Sequence, residues 1–180
     1  MVSWRLAFAL VLLGGCYADL RGGPSVPIGF GHGDAGAEFM LGVGVEHAGE
    51  RLRIGGGLAT GFRDATHTGV GEYYTAMGID GHMAVLLAPG NPWVAVAHVT
   101  AGHARGNVDA TYGRAPSGIF SEAFVGIGLG RTHDQPGSDI PRGHIAVGPS
   151  ANWFRTNAGD SFWFVGGMLE ISLGFGTLQH

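Results

Sequence analysis

Residues 36–63 read GAEFMLGVGVEHAGERLRIGGGLATGFR, and their alternation decides the fold. In the first half, Ala37, Phe39, Leu41, Val43 and Val45 share one parity, and Glu38, Met40, Gly42, Gly44 and Glu46 share the other. In the second half, Leu52, Ile54, Leu58 and Phe62 oppose Arg51, Arg53, Gly55, Gly57, Gly61 and Arg63. A period of two marks a strand, because successive side chains point to opposite faces. Ala48-Gly49-Glu50 between the halves supplies a turn. The stretch predicts a hairpin with one bulky apolar face and one face of glycine and isolated charge.

The pattern continues along the chain. Clusters of breakers at 63–69, 89–92, 105–118, 131–143 and 156–160 delimit strand segments at 36–47, 51–62, 70–87, 93–104, 119–130, 143–155 and 161–175, with 27–33 as a short eighth. Met77, Ile79 and Met83 oppose Gly78, Asp80 and His82, and Trp163, Val165, Leu169, Ile171 and Leu173 oppose Gly166, Met168, Glu170 and Ser172. No segment carries a helical stripe, and glycine is too frequent for stable helices. The expectation is an all-β domain over residues 28–180, an antiparallel up-and-down β-barrel of about eight strands.

Composition says which way the two faces point. Charged residues are 13% of the chain, against about 25% in typical soluble proteins. There are 35 glycines in 180 residues, yet hydrophobic residues still make up 45%, so disorder is excluded. A soluble barrel turns its apolar face inward and needs a densely polar exterior, and glycine weakens a solvated strand. A membrane barrel turns the apolar face to lipid and keeps small and charged residues inside. The second arrangement suits this chain, with Trp93, Trp153 and Trp163 near strand ends as interfacial aromatics. The competing arrangement is a lipid-tethered, lipocalin-like barrel that binds a small hydrophobic ligand. A net charge of −4 without a basic block gives nucleic-acid binding no support.

The N-terminal segment has one cation, Arg5, then an uncharged apolar run from Leu6 to Leu13, as in a secretory signal. Leu13-Gly14-Gly15-Cys16 resembles the bacterial lipobox. The resemblance implies a signal peptide over residues 1–15, lipid on Cys16 and a lipidated tether over 16–27. Tyr17 rather than Asp after the cysteine implies sorting to the outer membrane of a Gram-negative cell. Cys16 is the single cysteine, so disulfides are not part of the fold. Over residues 28–176 the alternation resembles the small eight-stranded outer-membrane β-barrel proteins. Such barrels end on an aromatic residue, for which Phe175 is the nearest candidate.

The inward set of a membrane barrel contains Glu38, Arg53, Glu72, Asp80, His82, His98, Glu122, His144, Asn152 and Glu170. Buried charges must be paired, so these residues are expected to form a polar network in the lumen. An enzymatic alternative follows from small barrels that modify lipid A. It would use His98 with Thr100, or His144 with Ser150, near a rim. Nine histidines raise the question of metal. There is no His-x-His pair and no zinc-type spacing, so neither a metal nor a cofactor is expected. The expected partner is membrane lipid, met by Cys16 and by the barrel exterior. Contact with any other ligand is expected from the loops 105–118 and 131–142.

Overall fold

The computed structural model describes residues 15–28, 36–48, 51–64, 73–88, 91–106, 117–131, 142–159 and 161–175. They form eight strands: β1 (Gly15–Ile28), β2 (Gly36–Ala48), β3 (Leu52–Asp64), β4 (Tyr73–Leu86), β5 (Trp93–Gly106), β6 (Ser117–Arg131), β7 (Arg142–Thr156) and β8 (Ser161–Phe175). Each strand pairs antiparallel with its neighbours in sequence, and β1 closes onto β8 to complete a barrel. Closure leaves no unpaired sheet edge.

Seven strands fall where alternation predicts them, and the eighth does not. Residues 16–27 are not a tether but most of β1, which pairs with β2 from Gly15 to Ser25 and with β8 from Cys16 to Ile28. The segment 29–33 of the expected short strand lies outside the described residues. Gly22-Gly23-Pro24 disguised β1, since proline lacks the N–H a central strand donates. The barrel absorbs it with a local break. Pairing to β8 skips from Gly22 to Ser25, while pairing to β2 continues through Pro24.

Parity sorts the side chains into two walls. Ile79 (73% exposed), Met77 (65%), Leu58 (61%) and Val43 (53%) stand on the outside. Arg21, Arg53, Asp80, Glu122 and Glu170 are buried inside. The apolar wall therefore faces outward, opposite to a lipocalin. Strands of 13–15 residues, tilted as in other barrels, span roughly 35 Å, enough for an apolar band about 25 Å tall.

Aromatic residues mark both ends of this wall. Trp153 and Trp163 lie with ring centroids 6.4 Å apart, and Phe39 stacks on Phe62 at 5.8 Å, all at the end where β1 leads to β2. Trp93 and Phe175 stand at the other end, where β1 begins and β8 finishes. Inward glycine makes room for the larger lumen residues. A β-carbon at Gly55 would sit 2.6 Å from the His82 ring, and one at Gly42 would run into the Asp19 carboxylate. Gly159, at φ 101°, lies in the turn from β7 to β8, in a region that side chains with a β-carbon disfavour.

Candidate functional site: a charged network filling the lumen

Of the ten residues expected to form the lumen network, nine, Glu38, Arg53, Asp80, His82, His98, Glu122, His144, Asn152 and Glu170, are buried inside the barrel. Glu72 lies outside the described residues. Asp19, Arg21, Glu46 and Arg63 join them. Asp19 and Arg21 were hidden because β1 read as a tether. The signal was present: Tyr17, Asp19, Arg21 and Ser25 share one parity and are all buried.

Arg21 is the hub. Its guanidinium donates to Asp80 Oδ1 at 3.0 Å and to Thr100 Oγ1 at 3.0 Å, and lies 3.3 Å from Glu122 and 3.6 Å from Asp19. It also contacts His98 Nδ1. Asp80 accepts further hydrogen bonds from Tyr17 at 2.9 Å and Thr100 at 2.7 Å. Toward the Trp153 end, Glu122 passes the network to Arg63 at 3.2 Å, and Arg63 donates to Glu38 at 3.1 Å. Ser150 and Asn152 donate to the same Glu38 carboxylate. Toward the Trp93 end, His98 Nε2 lies 2.9 Å and His144 Nε2 2.8 Å from Glu170 Oε1. His144 Nδ1 is 3.4 Å from Arg53, which donates to Glu46 at 2.7 Å, and Glu46 lies 3.3 Å from His82 Nε2. The chain of contacts runs from one end of the lumen to the other.

Apolar residues occupy the rest. Met40, Tyr74, Phe120, Phe154 and Phe164 cluster at one level, and Val94, Val96, Phe124 and Met168 at another. The cavity beside Arg63, Tyr74 and Phe154 is about 10 Å³, room for roughly one water. The apolar wall faces outward and the lumen holds the charged network, the reverse of the arrangement the lipocalin-like alternative requires.

The hydroxyl and histidine pairs of the enzymatic alternative do not assemble. Thr100 donates to Asp80 rather than to His98. Ser150 donates to Glu38, while His144 pairs with Glu170. Six residues along β7 separate His144 from Ser150 by about 20 Å. Neither hydroxyl is activated by a histidine, and both are buried away from a rim. The topology also separates the two loops singled out as contact regions. The β5–β6 connection leaves one end of the barrel and the β6–β7 connection the other.

The spacing rule for metals missed a cross-strand arrangement. Asp80 and His82 share the inner face of β4, and His82 pairs directly with His98 on β5. A ligand atom from each of the three lies within 4.8 Å of the others.

No protein-family model matches the sequence, nor does any curated protein. Among solved structures, the chain is similar to Neisserial surface protein A (NspA), with a TM-score of 0.54 and 11% identity over 90% of this chain and 97% of that one. It is also similar to Ail, the attachment invasion locus protein of Yersinia pestis, in complex with the heparin analogue sucrose octasulfate. That TM-score is 0.51, with 12% identity over 90% of this chain and 97% of that one. At these identities the likeness is one of fold: a small, closed eight-stranded antiparallel barrel.

Proposed function

We propose that this chain is a lipid-embedded barrel of a Gram-negative outer membrane, lipidated at Cys16, with a structural, adhesive or ligand-contacting role in the envelope rather than a catalytic one. The observation that carries the proposal is the pair of walls, with Leu58 and Ile79 exposed outside and Arg21, Asp80 and Glu170 buried inside. Water does not stabilise such an exterior, whereas hydrocarbon does. A contiguous apolar wall of this extent exceeds what a soluble monomer exposes.

The position of Cys16 supports the anchor. The residue is exposed, faces outward from the start of β1 and pairs with Phe175 at the end of β8. Acyl chains there enter the same layer as the apolar wall, at the end where β1 begins and β8 finishes. The two named neighbours, a surface protein and an attachment protein bound to a heparin analogue, support a contact role outside the barrel. The connections 29–35, 65–72 and 107–116, which leave the opposite end, are the segments to which that role is assigned.

The test compares wild type with Cys16→Ala in envelope fractions washed with carbonate or urea. The embedded barrel predicts that the variant stays in the pellet and migrates differently on gels before and after heating. It also predicts that labelled palmitate enters the wild type and not the variant. Release of the variant as a folded soluble protein would overturn the membrane reading. Palmitate labelling that survives the substitution would overturn the anchor alone.

A further inference from the structure

The lumen carries more negative than positive charge. Among the described residues, Asp19, Glu38, Glu46, Asp80, Glu122 and Glu170 are buried with only Arg21, Arg53 and Arg63 as fixed cations. Six carboxylates against three guanidiniums leave three buried negative charges to be offset, and uncompensated charge in such a place is costly. The buried His82, His98 and His144, each beside a carboxylate, are the remaining groups that can offset this charge, by protonation or by holding a cation.

We propose that the lumen binds a divalent transition-metal cation on Asp80, His82 and His98. Three observations converge. The ligand atoms lie within 4.8 Å of one another, on facing inward positions of β4 and β5. Each histidine has its Nε2 beside a glutamate, His82 at 3.3 Å from Glu46 and His98 at 2.9 Å from Glu170. On the other side of the rings, His98 Nδ1 faces Asp80 Oδ1 at 3.3 Å and the Arg21 guanidinium, while His82 Nδ1 meets no glutamate. A carboxylate on the second nitrogen is the outer-shell arrangement that orients metal-binding imidazoles. Finally, His82 Nδ1 is buried and has no hydrogen-bond partner. Tyr17 holds the other oxygen of Asp80 at 2.9 Å and orients that carboxylate.

Arg21 now shares this space, and it has somewhere to go. Glu122 is 3.3 Å from its Nε, and the Asp19 carboxylate, 3.6 Å away, accepts no hydrogen bond. A shift of the guanidinium toward these two acids frees Asp80 and His98 and satisfies Asp19. Two imidazoles and one carboxylate select the zinc, cobalt, nickel and iron(II) class over calcium or magnesium, which prefer all-oxygen shells.

The experiment refolds the full chain in detergent after chelator treatment, with Co²⁺ as the probe, and reads its visible absorption in the heat-modifiable, folded fraction. One Co²⁺ per chain should survive a chelator wash, show the strong bands of a low-coordinate nitrogen and oxygen site, and be displaced by Zn²⁺. His82→Gln and His98→Gln should weaken binding by at least the roughly 10- to 100-fold that loss of an outer-shell partner costs. The outward-facing His47→Gln and His103→Gln should leave it unchanged. Retention of no Co²⁺ by the folded wild type would overturn the proposal, as would lumen variants that bind like wild type. If the lumen variants do not fold, ¹⁵N-imidazole spectra of the wild type decide. Zn²⁺ added during refolding must shift two of the nine histidines, and a shift of none, or of exposed histidines instead, rejects the site.

Discussion

The outer and inner walls of this barrel are made by the same strands, one residue apart, under opposite rules. Ile79 is 73% exposed and apolar, while Asp80 beside it is 1% exposed and charged. If the barrel is embedded as proposed, a side chain on the outer wall is judged singly, by its transfer into hydrocarbon. On the inner wall it is judged by its partners, since a buried charge is tolerated only within a satisfied network. Exterior substitutions should therefore grade smoothly with depth, and interior ones should depend on connectivity.

The largest expected effect is on the inner wall. Arg21→Met removes the hub and leaves Asp19, Asp80 and Glu122 without it. Breaking a buried charged pair typically costs about 3–5 kcal/mol, and urea unfolding in lipid vesicles should show a loss of that size. Next comes the middle of the outer wall. Ile79→Arg should cost about 2–4 kcal/mol in the same assay, whereas Leu52→Arg, at the strand end, should cost about 0–1. Equal costs at residues 52 and 79 would break the claim that depth governs the exterior.

Gly55→Val sharpens the comparison from the lumen side, because the new side chain must displace the His82 ring. Overpacking of this kind costs about 1–3 kcal/mol, and Gly55→Ala should cost less than Gly55→Val. The smallest effect belongs to Thr100→Val, which deletes one donor to Asp80 while Arg21 and Tyr17 remain. A loss near 1 kcal/mol is expected. A loss as large as that of Arg21→Met would show that the hub lies elsewhere.

Much of this was legible in the sequence because a barrel wall is a local pattern. Parity alone placed Phe39, Leu58, Ile79 and Leu169 on one face and Glu38, Arg53, Asp80 and Glu170 on the other. The length of β8, residues 161–175, was read without error. Where local signals conflict, the reading failed. Pro24 and the adjacent glycines outweighed the alternation of β1, which its pairing with β2 and its closure onto β8 make a strand. Losing β1 also hid Arg21, so the hub of the network was missed while most of its spokes were named. Partner choice was illegible for a related reason. His82 meets His98 through the register of β4 on β5, and Glu122 reaches both Arg21 and Arg63 across the lumen. Spacing along one strand carries neither fact.

The most direct test of the two-wall arrangement is a nitroxide label at residue 79, introduced as Ile79→Cys on a Cys16→Ala background and reconstituted in lipid vesicles. A lipid-facing outer wall predicts strong relaxation by oxygen, which concentrates in hydrocarbon, and weak relaxation by a water-soluble nickel chelate. Relaxation dominated by the nickel chelate would place the apolar wall in water and contradict the membrane-embedded barrel.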